Sequence, residues 1–281
     1  MGLPIVEDAP QMPETQPHDE EKVVIAKNLA AVKRKVGIHS GKGGVGKTFL
    51  SVNIAMALAA AGKSVGLLDA DVDCPNVAKF LNLRDVPLNG TADGRIFPLE
   101  YKGMKLVSTH FMTDNPSLPM IVRGPIKHKV VAEMLEKVEW GELDVLVYDL
   151  PPGTSDVPMS SMMIGSMDGI VIVTTPQQEA IMDARKSAIM AKDMDVPVLG
   201  VVENMSGDVF GTGSGEELAR ELDVPFLGTI PLTKEIRQLN EKGKAVLCTK
   251  TYQDTAQKIL KGVTGETLAM KQSFWRNLVN R

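Results

Sequence analysis

Cysteine is scarce in this chain, which has only Cys74 and Cys248 among its 281 residues. Two cysteines cannot build a disulfide framework, and no C-x-x-C pair occurs anywhere in the sequence. Basic residues are not in excess either, because 31 lysines and arginines stand against 35 aspartates and glutamates, for a formal net charge of −4. Such a balance does not supply the phosphate contacts of a bulk nucleic-acid binder. We therefore expect a reducing, cytoplasmic location and no nucleic-acid partner.

Long hydrophobic runs are also missing. No apolar stretch has the length needed to span a bilayer, and the first residues show no signal-peptide pattern. The composition, 43% hydrophobic and 23% charged, is ordinary for a globular domain. These absences favour a globular protein over a membrane-spanning or exported one.

The residues that carry the most chemical information are 36–49, VGIHSGKGGVGKTF. Residues 41–48 match the phosphate-loop pattern G-x-x-x-x-G-K-[ST]. A short apolar run precedes the loop and a helical pattern follows it, so backbone N–H groups can converge on a phosphate at the positive end of a helix. Lys47 is expected to reach the β and γ phosphates, and the Thr48 hydroxyl to bind Mg²⁺. The predicted nucleotide-binding residues here are Gly41, Lys42, Gly43, Gly44, Val45, Gly46, Lys47, Thr48 and Phe49.

The rest of the chain alternates apolar runs with helical stretches. The runs lie at 64–69, 104–109, 144–149, 169–174, 198–202 and 225–228, and the helical stretches at 23–34, 130–138, 179–193, 214–222, 233–241 and 252–272. The runs are continuous rather than alternating, as in strands covered by helices on both faces. We predict a single α/β domain over residues 23–281, a P-loop NTPase with a parallel sheet. Residues 1–22, rich in Pro, Glu and Asp, are predicted to be a disordered acidic tail.

Aspartates follow two of the apolar runs, at the edge of the sheet where nucleotides bind. Asp149 ends the run 145–148 and is expected to hold Mg²⁺, through a water molecule. Asp69 and Asp71 end the strand after the phosphate loop. A carboxylate there can accept a hydrogen bond from an attacking water, although Asp71 as the cap of the next helix is an alternative.

The second lysine of the loop, Lys42, is not required by the phosphate-loop pattern. The KGGVGKT string resembles the deviant Walker A group, which includes the MinD and ParA positioning ATPases, the nitrogenase iron protein and the Mrp/ApbC iron–sulfur carriers. The resemblance implies that Lys42 crosses a dimer interface to the partner's nucleotide and that Asp71 positions the hydrolytic water. The catalytic residues would then be Lys42, Lys47 and Asp71. A solvated loop lysine is the alternative for Lys42.

Two more strings resemble the Mrp/ApbC branch. The first is DLPPGT at 149–154, here called switch II, in which the Gly153 N–H is expected to sense the γ-phosphate. The second is ENMS at 203–206, whose Asn204 would recognise adenine through its amide, with Pro231 in a loop against the base. The resemblance covers residues 35–247. It implies a homodimeric or heterodimeric Mg-ATP hydrolase that acts in the assembly or transfer of iron–sulfur clusters or other metallocofactors, with a client apoprotein as a further partner; for this chain we expect the homodimer.

The chain departs from that branch where the branch carries its cluster ligands. The C-x-x-C pair expected shortly after ENMS is absent, so a conventional bridged cluster cannot form there. Two copies of Cys74 across a dimer could provide a substitute site, although a partly buried small residue is the alternative for Cys74. Cys248 is expected in the core. The alternative function is a MinD/ParA-like switch that recruits a protein or membrane partner without metal cargo. The amphipathic stretch 268–281 is expected to dock on the chain's own surface rather than on a membrane.

Overall fold

The computed structural model describes residues 19–83, 86, 88–112 and 124–268. In chain order, these residues form α1 (Asp19–Asn28), β1 (Lys35–His39), α2 (Lys47–Ala60), β2 (Val65–Asp69), α3 (Val77–Phe80), β3 (Asn89–Gly90), β4 (Ile96–Phe97), β5 (Leu99–Tyr101), β6 (Met104–Ser108), α4 (Gly124–Lys137), β7 (Val145–Asp149), α5 (Asp156–Ile164), β8 (Gly169–Thr174), α6 (Gln178–Asp193), β9 (Val198–Ser206), α7 (Ser214–Glu221), β10 (Phe226–Pro231), α8 (Lys234–Glu241) and α9 (Gln253–Thr264). Short 3₁₀ turns follow β6 and precede α9.

Eight strands form one sheet in the order β10-β9-β8-β1-β7-β2-β6-β5. Every neighbouring pair is parallel except β5 and β6, which are antiparallel. Strand β1 lies between β7 and β8, so the loop after β1 opens between their carboxyl ends. Ligands of open parallel sheets bind at that edge. The predicted α/β domain with a parallel sheet is confirmed.

Both faces of the sheet are covered by helices. One apolar core packs α2 and α9 against the sheet, and a second packs α1, α4, α5, α6 and α7 against the other face. Strands β2, β7 and β8 are buried at every residue, which explains why they read as continuous apolar runs. Among the described residues no helix combines the length and the apolar character needed to cross a bilayer.

Several boundaries differ from the sequence predictions. Helix α1 begins at Asp19, inside the segment predicted as a tail, and the rest of that segment, 1–18, lies outside the described residues. Strand β9 runs on to Ser206, four residues past the predicted end, because it stays paired with β10 through Pro231. Strands β3, β4 and β5 were not predicted, since two- and three-residue strands leave no periodic signal. Of the amphipathic stretch 268–281, only Leu268 is described.

Candidate nucleotide and magnesium site

The phosphate loop connects β1 to α2 as predicted, and two of its glycines are required by close approaches. Gly46 precedes α2 with φ +94°, and a Cβ there would lie 2.0 Å from Nδ2 of Asn204. At Gly41 a Cβ would lie 2.2 Å from the backbone of Asp183 on α6. Glycine has no Cβ, so it tolerates both approaches, and at Gly46 it also adopts the positive φ without strain. The loop is therefore held between α6 on one side and the end of β9 on the other.

A cavity of about 760 Å³ opens above this loop. That volume falls in the range of small-molecule and cofactor sites. Its walls include many of the predicted site residues, namely Gly43, Gly44, Gly46, Lys47, Thr48, Phe49, Asp71, Asn204 and Pro231. An apolar wall on the far side is formed by Phe80, Met205, Leu232 and Ile236. The structure thus gathers residues from five separate segments of the sequence around one cavity.

Three of the predicted loop residues stand outside the set of described residues that line this cavity. Gly41 packs against Asp183, and Val45 is 2% exposed with its side chain in the core. Lys42 is partly exposed, beside the exposed Gly43 and Gly44. Lys42 does not line the described cavity of its own subunit, so its side chain is available to a neighbouring molecule.

Asp149 accepts hydrogen bonds from three polar side chains at the start of α2. Its Oδ1 accepts from Lys47 Nζ at 2.9 Å and from Ser51 Oγ at 2.8 Å, and its Oδ2 accepts from Thr48 Oγ1 at 2.6 Å. Asp149 is fully buried and Lys47 is 7% exposed, so this ion pair is shielded from solvent. The predicted neighbours Lys47, Thr48 and Asp149 are therefore in direct contact.

Two further carboxylates flank this pair. Asp71 Oδ2 lies 3.9 Å from Lys47 Nζ, and burial raises the pKa of Asp71. Burial, followed by the charge of Asp149, raises the pKa of Asp69 to about 8. The charge of Lys47 and the Val77 N–H, which donates to Asp69, oppose this shift without removing it. Asp69 also accepts hydrogen bonds from Ser108 Oγ and the Asp71 N–H. Asp69 thus supports the loop after β2 and lies below the cavity rather than in its wall.

The donor set fits Mg²⁺. Asp149 and Asp71 face the single ammonium of Lys47, and Thr48 adds a hydroxyl, so the site offers the hard oxygen ligands that Mg²⁺ prefers. Among the described residues no group of three or more His, Cys, Asp or Glu side chains is arranged as a complete metal cage. Mg²⁺ is usually held by one or two protein oxygens together with waters and substrate phosphates, so Thr48 and Asp149 would be enough as protein ligands.

Switch II and Asn204 are placed near the loop, but their predicted donor groups are already engaged. The Gly153 N–H, predicted to sense the γ-phosphate, donates to the Ser40 carbonyl at 2.9 Å. Asn204 Nδ2 donates to the Val45 carbonyl at 2.8 Å. The acceptor of Gly153 is the residue just before the phosphate loop, and the acceptor of Asn204 lies within the loop. In this arrangement the two groups bind the phosphate-loop segment itself.

Two buried residues of the site were missed from the sequence. Ser51 lies one helical turn after Lys47, and its bond to Asp149 follows from that i to i+4 spacing. Glu203 is fully buried and accepts from the N–H groups of Gly213 at 3.1 Å and Gly215 at 2.7 Å, at the start of α7. A carboxylate at a helix N-terminus is favourable. Glu203 therefore anchors the loop that follows ENMS.

The cysteines do not meet in the described chain. Cys74 is exposed and lines the cavity. Cys248 is buried, and burial raises the pKa of its thiol to about 12, so it stays protonated and inert. The segment where the C-x-x-C pair was expected is instead a short turn, closed by two hydrogen bonds between Gly207 and Gly211.

Comparisons with known proteins agree with this site. The family model described as ParA, NUBPL iron-transfer P-loop NTPase, matches residues 31–266. An iron-sulfur cluster carrier protein of Methanocaldococcus jannaschii is 40% identical over 267 residues, 90% of this chain and 91% of the relative. A nucleotide-binding protein from Archaeoglobus fulgidus, solved in complex with ADP, superposes with a TM-score of 0.69 at 31% identity, covering 80% of this chain and 92% of its own. The cell division ATPase MinD of Pyrococcus furiosus, at 24% identity and a TM-score of 0.61 over 82% of this chain and 99% of its own, shares the fold. The chain belongs to the ParA family of P-loop NTPases, in its NUBPL-type iron-transfer group.

Proposed function

We propose that this protein is a dimeric Mg-ATPase that acts in the assembly or transfer of iron–sulfur clusters or related metallocofactors. The observation that carries the proposal is the convergence of Lys47, Thr48 and Ser51 on the buried Asp149 directly below the phosphate-loop cavity. Family membership and the ADP complex of the Archaeoglobus relative support ATP as the ligand. A cytoplasmic location is part of the same proposal.

Each group of the site has a separate role in this proposal. Backbone N–H groups of the loop bind the phosphates at the positive end of α2. The Lys47 ammonium has three donors, of which Asp149 uses one, so the others can reach the phosphate oxygens. Asp71 lies in the cavity wall, where its carboxylate orients the attacking water. Mg²⁺ held by Thr48 and Asp149 would neutralise negative charge on the phosphates.

Lys42 acts across the dimer in this proposal. Its side chain stands outside the described cavity wall of its own subunit, yet it follows the first glycine of the loop. We therefore expect Lys42→Ala to keep ATP binding and to lose hydrolysis by about 10³-fold or more, as for other cations supplied in trans. Steady-state ATPase assays would measure this loss. Lys258→Ala, which changes an exposed lysine on α9, serves as the control and should hydrolyse at the wild-type rate.

A mixing experiment separates action in trans from action within one subunit. Lys42→Ala and Asp71→Ala are each expected to be inactive alone. If Lys42 acts in trans, a mixed dimer holds one intact site, so an equimolar mixture should recover about a quarter of the wild-type rate by the statistics of a two-fold dimer. No recovery, with mixed dimers demonstrated, would place Lys42 in its own subunit's site.

The proposed cargo is an iron–sulfur cluster. The Methanocaldococcus relative is an iron-sulfur cluster carrier protein, which favours a cluster as cargo. The second candidate, a MinD/ParA-like switch without metal cargo, is favoured by the closed turn at Gly207–Gly211 and by the buried, protonated Cys248. Cys74 is the one described thiol that a second subunit could reach.

Anaerobic reconstitution with iron and sulfide distinguishes the two candidates. A carrier should acquire visible cluster absorbance and about one cluster per dimer, and Cys74→Ala should abolish both, whereas Cys248→Ala should keep them. Absence of bound iron in a wild-type protein that hydrolyses ATP would reject the carrier and favour the switch. Absence of hydrolysis and of ATP binding would reject both.

A further inference from the structure

His39, the last residue of β1, has no assigned role, although it lies two residues before the phosphate loop. The residue is fully buried, and neither of its ring nitrogens has a hydrogen-bond partner among the described residues. Buried polar side chains in folded proteins are nearly always paired. Two unpaired nitrogens on one ring, at the edge of a nucleotide site, therefore indicate a second arrangement in which the ring is used.

Switch II is attached to the end of β1 on both sides of this histidine. The Leu150 N–H donates to the Ile38 carbonyl at 3.1 Å, and the Gly153 N–H donates to the Ser40 carbonyl at 2.9 Å. Residues 151 and 152 are prolines, which have no N–H, so this part of switch II offers only carbonyl oxygens. Gly153 has φ +92°, a conformation that glycine can leave and re-enter easily.

The surroundings of His39 define its chemical form. Burial and the charge of Lys47 lower the pKa of His39 to about 3, while the backbone of Pro151 and Gly153 raises it to a smaller extent. The ring is therefore neutral at neutral pH, with one N–H donor and one acceptor nitrogen. The backbone of Pro151 and Gly153, which acts on the pKa of His39, supplies carbonyl oxygens of switch II close to that donor.

We propose that His39 is a positioning residue for switch II: its ring N–H donates to a switch II carbonyl when a nucleoside triphosphate occupies the cavity. In that state the Gly153 N–H turns from Ser40 to the terminal phosphate, and the His39 bond replaces the attachment that is lost. A nucleoside diphosphate has no γ-phosphate to draw Gly153 away, so His39 distinguishes the two nucleotides. This inference rests on the proposed ATPase function.

Two substitutions test the role through the ratio of two affinities. His39→Leu keeps the approximate size of the side chain and removes the donor, while His39→Gln keeps a donor. With Mg²⁺ present, His39→Leu should bind ADP within about twofold of wild type and a non-hydrolysable ATP analogue about tenfold more weakly, which is about 1.4 kcal/mol. His39→Gln should recover most of that loss. Protection of the Gly153 amide from hydrogen exchange on adding the analogue should disappear in His39→Leu.

Trp140→Phe provides the matched control, because Trp140 Nε1 is also buried without a partner and packs in the core that α4 shares with the sheet. Its affinity ratio should match wild type. A second readout needs no variant: in wild-type protein with ¹⁵N-labelled histidine, one His39 ring nitrogen should shift with the ATP analogue and not with ADP.

The inference is overturned if His39→Leu has the wild-type ratio of ADP to ATP-analogue affinity. If that variant does not fold, unchanged ¹⁵N chemical shifts of the His39 ring on adding the ATP analogue overturn it. Both results leave the proposed ATPase intact. A wild-type protein that binds neither nucleotide would overturn both.

Discussion

Replacing Lys47 by methionine tests whether the phosphate-loop lysine also stabilises the protein without nucleotide. Lys47 is 7% exposed and faces the fully buried Asp149 at 2.9 Å, with Asp71 at 3.9 Å. Removing one partner of a buried ion pair costs about 3–5 kcal/mol, because the other charge is left unpaired. Thr48 and Ser51 still donate to Asp149, so we place the loss near the lower end, at about 3 kcal/mol.

The assay is thermal unfolding followed by circular dichroism, in EDTA and without nucleotide. At about 2 °C per kcal/mol for a chain of this size, the Lys47→Met midpoint should fall by roughly 6 °C. Lys42→Met is the matched control, since the partly exposed Lys42 should cost less than about 0.5 kcal/mol. Equal midpoints for the two variants would refute the reasoning, because they would mean that the buried pair contributes no more than a surface lysine.

Three other predictions follow from single contacts. Ser51→Ala loses the 2.8 Å hydrogen bond to Asp149, so its free energy of unfolding in urea should fall by about 1.5 kcal/mol and its Mg-ATP hydrolysis should slow. Ser160→Ala on α5 is the control and should leave hydrolysis unchanged. Glu203→Gln places an amide N–H₂ against a backbone N–H at the start of α7, so the free energy of unfolding should fall by about 2 kcal/mol. Hydrogen exchange of the α7 amides that is no faster than in wild type would contradict this. The pKa of His39 falls from 6.5 to about 3 on folding, so the unfolded chain binds a proton that the folded protein excludes, and stability decreases as pH falls through 6.5. His39→Leu should therefore gain about 2 kcal/mol relative to wild type when urea unfolding at pH 5 is compared with pH 7, and a pH-independent difference would show that His39 is not buried as a neutral ring.

Much of the fold was predictable because its signals are local. The fully buried strands β2, β7 and β8 are continuous apolar runs, and glycines and prolines separate them from the helices. The short edge strands and the last residues of β9 were not predictable in this way. Their hydrogen bonds come from partners far along the chain, as when β9 continues because β10 runs beside it through Pro231.

The site residues also separate into those with a local sequence signal and those that depend on distant contacts. Lys47, Thr48 and Asp149 were predicted because loop spacing and a strand-end carboxylate define their chemistry. Ser51 and Glu203 were missed, since a serine on a helix and a glutamate before an asparagine have no distinctive pattern until their acceptor and donors are known. The hydrogen bonds of Gly153 to Ser40 and of Asn204 to Val45 likewise depend on how closely switch II and the end of β9 approach the phosphate-loop segment.

The sequence by itself determined that this chain has a phosphate loop at a strand-to-helix turn, carboxylates at the ends of two apolar runs, and no C-x-x-C pair for a conventional cluster. Each of these follows from residue type and spacing over fewer than ten residues. Only the tertiary structure decided that Asp149 pairs with Lys47, that Lys42 stands outside its own cavity wall, and that His39 is buried with unpaired nitrogens. The physical reason is that ion pairing, burial and desolvation depend on which distant segments the sheet brings together, and strand order β8-β1-β7-β2 is set by packing of the whole domain.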